Sequence, residues 1–215
     1  MKKLNIGFMA SHGGSNMQAV LDAINERRLF ANPCLLISNN SKALAIERAA
    51  EQGMPYVHIS QNQYLDLDKA ILSSLKDHEV EYLLLVGYMK KLGPRTLKEY
   101  MGKIINIHPS LLPKYGGKGM NGNFVHEEVL KNHEKETGVT IHLVDEEYDQ
   151  GRIINQGVVP VLPNDNIDTL RIRVSEKEHE ALVETLIRIS KGVGFKTKIK
   201  WYPDSPSLVL SSLGK

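Results

Sequence analysis

Along the first hundred or so residues, short apolar runs alternate with segments whose apolar residues recur at helical spacing, the pattern of strands alternating with amphipathic helices. Residues 4–10 read as a first strand, and Met17, Val20, Leu21 and Ile24 follow at helical spacing. A second apolar run covers residues 33–38. The next helix carries Ala43, Leu44, Ile46 and Ala49 and stops at Gly53. Residues 56–59 predict strand three and residues 65–76 helix three. Residues 82–87 form the most hydrophobic run, as a central parallel strand covered on both faces requires. A short helix over residues 97–101 leads to strand five, within residues 103–108. A short helix starts at residues 126–130. In residues 137–144, Val139, Ile141 and Leu143 then alternate against Thr140 and His142, as in a strand. An acidic loop, residues 145–151, and a strand over residues 152–161 come next. A long helix spans residues 166–191, capped by Asp165 or Asn166, and residues 195–215 read as an edge hairpin or tail.

This order predicts a single-domain α/β fold with a doubly wound, mostly parallel sheet and right-handed crossovers. Ligands bind such sheets beyond the carboxyl ends of the strands, where strand order reverses. With strand one beside strand four and strand five beside four, the loops 11–16, 87–92 and 106–114 fall on one edge. The loop at Ser11 opens a helix, with Ser15 or Asn16 placed to cap it, and its glycines suit an anion. It lacks the glycine spacing of a dinucleotide site, and Gly117-Lys118-Gly119 lacks the hydroxyl residue of a P-loop. A single phosphate is the modest reading.

Strand five breaks its own apolar pattern at Asn106 and His108. Alternation puts these two on one face and Ile105 and Ile107 on the other. A polar pair before Pro109 is either a fraying strand end or chemistry. An acidic residue of the 145–149 loop beside His108 would strengthen its hold on a proton and fix its tautomer. The glycine-rich residues 116–123 suit a flap. Glu178 and His179 are helix-surface residues by default.

Composition narrows the classes without changing this picture. The chain has 215 residues, 41% hydrophobic and 24% charged, with 27 basic against 25 acidic residues and a net charge of +2. That balance offers no footprint for nucleic acid or a membrane surface. One cysteine, Cys34, in an apolar run, excludes an intrachain disulfide and reads as an inert core thiol. The start is too short in apolar residues for a signal peptide, and no run reaches membrane-spanning length, so a cytoplasmic protein is expected.

The run Asn106-Ile107-His108-Pro109-Ser110-Leu111-Leu112-Pro113, with Tyr148-Asp149-Gln150-Gly151 downstream, resembles the folate-dependent formyltransferases. Gly14-Ser15-Asn16 narrows the resemblance to the branch acting on phosphoribosylglycinamide in purine synthesis. The resemblance implies 10-formyltetrahydrofolate as co-substrate, no metal, and small-molecule partners, with the oligomer open between monomer and homodimer. It implies catalytic roles for Asn106, His108 and Asp149, substrate phosphate on Gly13, Gly14, Ser15 and Asn16, and ribose on Glu178. The folate would meet Met89, Lys90, Lys91, Leu92, Asn106, Asp145 and Tyr148. Residues 1–102 would be a phosphate-binding half and 103–194 a catalytic and folate-binding half. The first loop departs from the common Ser-Gly-Asn-Gly-Ser-Asn at His12 and Gly13, Lys90 replaces a common arginine, and residues 116–123 lengthen a usually short connection. Another small amine, a formyl-folate hydrolase or a noncatalytic binding module are the alternatives.

Overall fold

The first strand, β1 (Leu4–Met9), shows how the sheet is buried: Ile6 and Phe8 enter one apolar core and Met9 the opposite one. Both faces being covered explains why the parallel strands read as near-continuous apolar runs. The computed structural model describes residues 3–147 and 149–193. After β1 come α1 (Ser15–Asn25), β2 (Ala31–Ser38), α2 (Leu44–Glu51), β3 (Tyr56–His58), α3 (Leu67–Asp77) and β4 (Tyr82–Leu85). Next are α4 (Pro94–Glu99), β5 (Ile104–His108), α5 (Asn123–Lys131), β6 (Glu136–Leu143), β7 (Ile153–Pro160) and α6 (Ile167–Ser190). Residues 194–215, including the expected edge hairpin, lie outside the described residues.

The seven-stranded sheet runs β3-β2-β1-β4-β5-β6-β7. Strands β1 to β5 pair in parallel, while β6 and β7 join antiparallel. The doubly wound architecture stands as expected, with β1 between β2 and β4 and β5 next to β4. Helices α1, α2, α5 and α6 bury their apolar stripes on one face. Helices α3 and α4 cover the other. That second core draws on β1, β2, β4 and Ile104 at the start of β5. Beyond Ile104 the side chains of β5 and β6 on this face, Asn106, His108, Thr140 and His142, are polar. Among the described residues no helix is long and apolar enough to cross a membrane.

Helix ends show where local spacing misleads. Helix α4 begins at Pro94, not residue 97, because Asp68 of α3 accepts from the backbone N–H groups of Arg95 and Thr96 at 2.8 and 3.0 Å. Gly93 makes room for this cap: a Cβ there would lie 2.2 Å from Asp68 Cγ. Helix α5 likewise starts at Asn123 rather than 126. The expected Ser15 or Asn16 cap of α1 is not formed. Gly14, at φ 68°, is the N-cap, no side chain caps the helix, and Asn16 is spent elsewhere. The first-turn N–H groups are thus left free for an anion. Asn166 does cap α6, in a reciprocal pair with Thr169.

Candidate active site

Antiparallel pairing of β5 with β6 sets Asn106 opposite His142 and His108 opposite Thr140, and residues directly opposite share a face. Four polar side chains therefore gather where the helical cover ends. The Asn106 amide nitrogen lies 3.1 Å from His142 Nε2. His142 Nδ1 is 2.9 Å from the Leu143 carbonyl, which can only accept. In the neutral ring Nδ1 therefore carries the proton and Nε2 receives the Asn106 N–H, whereas in the doubly protonated ring Nε2 donates to Asp149 instead. The contact with Asn106 orients the amide and leaves its second N–H unspent. Thr140 ties the next segment down: its hydroxyl donates to Ser110 O at 2.7 Å and accepts from Leu112 N at 3.0 Å. Gln156, opposite Thr140 on β7, adds a third bond.

Asp149, in the left-handed region at φ 55°, projects between the two histidines. Its Oδ1 is 3.4 Å from His142 Nε2 and its Oδ2 3.6 Å from His108 Nδ1. Gly117 N donates to Oδ2 at 2.8 Å. Burial alone would raise the Asp149 carboxyl, but His142, His108 and the Gly117 N–H together bring it below the ordinary carboxylate range. His108 is only 4% exposed. Its Nε2–H donates to the Tyr115 carbonyl at 2.7 Å. Burial lowers the His108 pKa more than Asp149 and Tyr115 raise it, so the tighter hold on a proton expected from a carboxylate neighbour is outweighed. At 3.6 Å the His108–Asp149 contact is also too long for a hydrogen bond.

A cleft of about 520 Å³, open to solvent, runs from this cluster toward α4. Asn106, His142 and Asp149 form its floor, Tyr88, Lys90, Lys91, Leu92 and Leu97 one wall, and Val144, Asp145, Glu146 and Glu147 the other. Burial raises the Tyr88 phenol, which stays protonated as part of the wall. Of the residues assigned to folate by resemblance, Lys90, Lys91, Leu92, Asn106 and Asp145 line this cleft. Met89 does not: its side chain is 43% exposed. Tyr148 lies outside the described residues. His108 sits behind Asp149, under the Tyr115–Gly117 segment, and is not part of the cleft lining.

The glycine loop after β1 lies at the carboxyl end of a strand two places from β5, with β4 between. Gly14 is buried against Ala45 of α2, where a Cβ would come within 2.8 Å of the alanine methyl. Asn16 is buried, and its amide donates to Glu178 Oε2 of α6 at 3.2 Å. Its Oδ1 is buried without a partner among the described residues. Glu178 is thus not a plain surface residue. Burial pushes its carboxyl up to about 7, opposed only by the Asn16 bond. His142 was missed by sequence reading. It appeared only as the polar half of an alternating strand, and the register that brings it to Asn106 is set across 36 residues.

These features define a class before any comparison: an open α/β sheet with a crevice beyond the carboxyl ends of β4 and β5, floored by an amide donor, an imidazole and a carboxylate, with a second imidazole behind the carboxylate. The chain matches the formyl transferase family over residues 4–186, and it belongs to that family. It is 33% identical over 216 residues to the chloroplastic phosphoribosylglycinamide formyltransferase of Vigna unguiculata, covering 98% of this chain and 67% of that protein. It is 38% identical over 192 residues to the trifunctional purine biosynthetic protein adenosine-3 of Drosophila pseudoobscura pseudoobscura, of which it spans 14%, against 87% of this chain. Its fold superposes on glycinamide ribonucleotide transformylase 1 of Symbiobacterium toebii with a TM-score of 0.83, at 32% identity, covering 88% of this chain and 89% of that one.

Proposed function

We propose that the chain transfers the formyl group of 10-formyltetrahydrofolate to the amine of 5'-phosphoribosylglycinamide. The observation that carries this reading is the Asn106 amide, oriented by His142 and holding a free N–H beside an ionised carboxylate, at the floor of the cleft. Attack of the amine on the formyl carbon creates an oxyanion, which a donor already aimed at it stabilises. The attacking nitrogen then loses a proton and the departing folate nitrogen gains one. Asp149, facing the cleft, receives the first proton, directly or through a water. His108 behind it completes the transfer, its Nε2 reaching the reacting atoms when the Tyr115–Gly117 segment lifts off.

Residues 1–102 supply the phosphate-binding part in this reading. Gly13, Gly14, Ser15 and Asn16 offer the uncapped start of α1 to the phosphate, while Glu178, bonded to Asn16, serves the ribose hydroxyls. Residues 103–194 supply the catalytic floor. Lys90 and Lys91 attract the folate carboxylates as point charges, without the bidentate fork of arginine. The test incubates the protein with 10-formyl-5,8-dideazafolate, with and without phosphoribosylglycinamide. Loss of the formyl group only when the nucleotide is present supports the proposal. Equal turnover without the nucleotide sinks it in favour of a hydrolase.

A further inference from the structure

Ser11, the second residue after β1, is 2% exposed, and every one of its polar atoms is bonded to the loop after β2 or the loop after β4. Its N–H donates to the Gly87 carbonyl at 3.0 Å. Its Oγ accepts from Met89 N at 2.9 Å and donates to Asn39 Oδ1 at 2.6 Å. Its carbonyl accepts from Asn40 Nδ2 at 3.1 Å. Asn40 is itself held: its N–H donates to Ser38 Oγ, and its Oδ1 accepts from Lys42 N. Three strand-to-helix loops, those following β1, β2 and β4, thus close on one residue. Two of them lead into different segments, of which only the loop after β4 lines the cleft. The loop after β1 continues directly into Gly13–Asn16, and the loop after β4 continues from Met89 into Lys90, Lys91 and Leu92.

We propose that Ser11 is a positioning residue that locks the phosphate loop to the folate loop through its hydroxyl. This rests on the substrate reading above and deepens it. The hydroxyl touches neither substrate. It fixes the spacing between the two subsites, so that the amine carried by one loop meets the formyl carbon held by the other above Asn106. Small errors in such spacing are costly, since a misplacement of about 1 Å costs on the order of 10²-fold in rate. Binding of either substrate alone uses one loop only and does not need the lock.

The experiment compares the wild-type protein with Ser11→Ala, Ser11→Thr and Asn39→Ala. The dissociation constants of phosphoribosylglycinamide and of 10-formyl-5,8-dideazafolate are measured separately by calorimetry, and kcat is measured with both present. Ser11→Ala is expected to lose about 10- to 100-fold in kcat. Each separate dissociation constant stays within about threefold, since ground-state binding is uncoupled from the alignment. Ser11→Thr, which keeps the hydroxyl, recovers most of kcat. Asn39→Ala, which frees the hydroxyl but leaves it in place, falls between. An unchanged kcat in Ser11→Ala overturns the proposal, as does a fall matched by equal weakening of both dissociation constants. If Ser11→Ala does not fold, an unchanged kcat in Asn39→Ala overturns it. A wild-type protein that transfers no formyl group to the nucleotide removes the functional reading itself. An active wild type with an unaffected variant removes only the role of Ser11.

Discussion

Replacing Glu178 by glutamine removes a charge that the fold resists forming. In the folded chain burial holds the Glu178 carboxyl at about 7, against an ordinary value of 4.5. Between those values the native protein keeps a proton that the unfolded chain has released. The stability that this raised pKa contributes is full below pH 4.5 and is lost as pH rises through about 7. At ~1.4 kcal/mol per pH unit the whole loss approaches about 3 kcal/mol, and the remaining solvent contact of the side chain brings it to roughly 1–3 kcal/mol. The neutral amide of Glu178→Gln does not titrate. The variant is therefore expected to be more stable than the wild type by that amount at pH 8, the gap closing toward pH 4.5. Urea unfolding of both proteins at pH 4.5, 6, 7 and 8 measures this, and other titrating groups cancel in the difference. The ionised carboxylate is the better acceptor for ribose hydroxyls, so the wild-type KM for the nucleotide should fall as pH rises through 7 while that of the variant stays flat. A stability gap independent of pH, or a wild type more stable than the variant at pH 8, would refute the reasoning.

Asn106→Ala should leave both substrates bound within a few-fold and cost about 10²–10³ in kcat, as loss of an oxyanion donor does. Near-normal turnover would show that the amide is misassigned. His126, 3% exposed on α5 with its Nδ1 unpartnered among the described residues, is held down to about 4 by burial and by Arg171. Its depressed pKa costs stability as pH falls from 6.5 through 4, so His126→Leu should flatten acid unfolding in that window, by up to about 3 kcal/mol at its foot. Parallel acid-unfolding curves for the two proteins would exclude this. Asp68→Ala removes the cap of α4 and should cost about 1–2 kcal/mol in denaturant unfolding. On the proposed reading it should also raise the KM for the folate more than that for the nucleotide, because Leu92 and Leu97 line the cleft assigned to the folate. Equal effects on both KM values would separate α4 from the folate wall.

Strand positions were legible because a strand buried on both faces has almost no polar residues, which made Asn106 and His108 visible as exceptions. The crevice was legible too, since strand order alone brings the loops after β1, β4 and β5 together. What escaped depends on contacts between distant segments. His142 becomes a neighbour of Asn106 only through the β5–β6 register. The start of α4 is decided by a carboxylate on another helix. The lowered pKa of His108 follows from its burial under the 115–117 loop, which outweighs the Asp149 charge and the Tyr115 carbonyl, and Gly116 and Gly117 gave no local sign of that path. The Ser15 or Asn16 cap failed for a different reason. Asn16 is a strong capping residue by type, but Gly14 in the left-handed region starts the helix at Ser15, which leaves Asn16 inside the first turn with its Nδ2 on Glu178 of α6.

The bond between Asn16 and Glu178 joins residues 162 positions apart. Asn16 and Glu178 therefore meet only when α6 has docked against α1, after the whole described chain has been made. Loosening α6 would break that bond and at the same time uncover β6 and β7, the first of which carries the His142 that holds Asn106. On the proposed reading, affinity for the nucleotide is thus a direct report of whether α1 and α6 are docked.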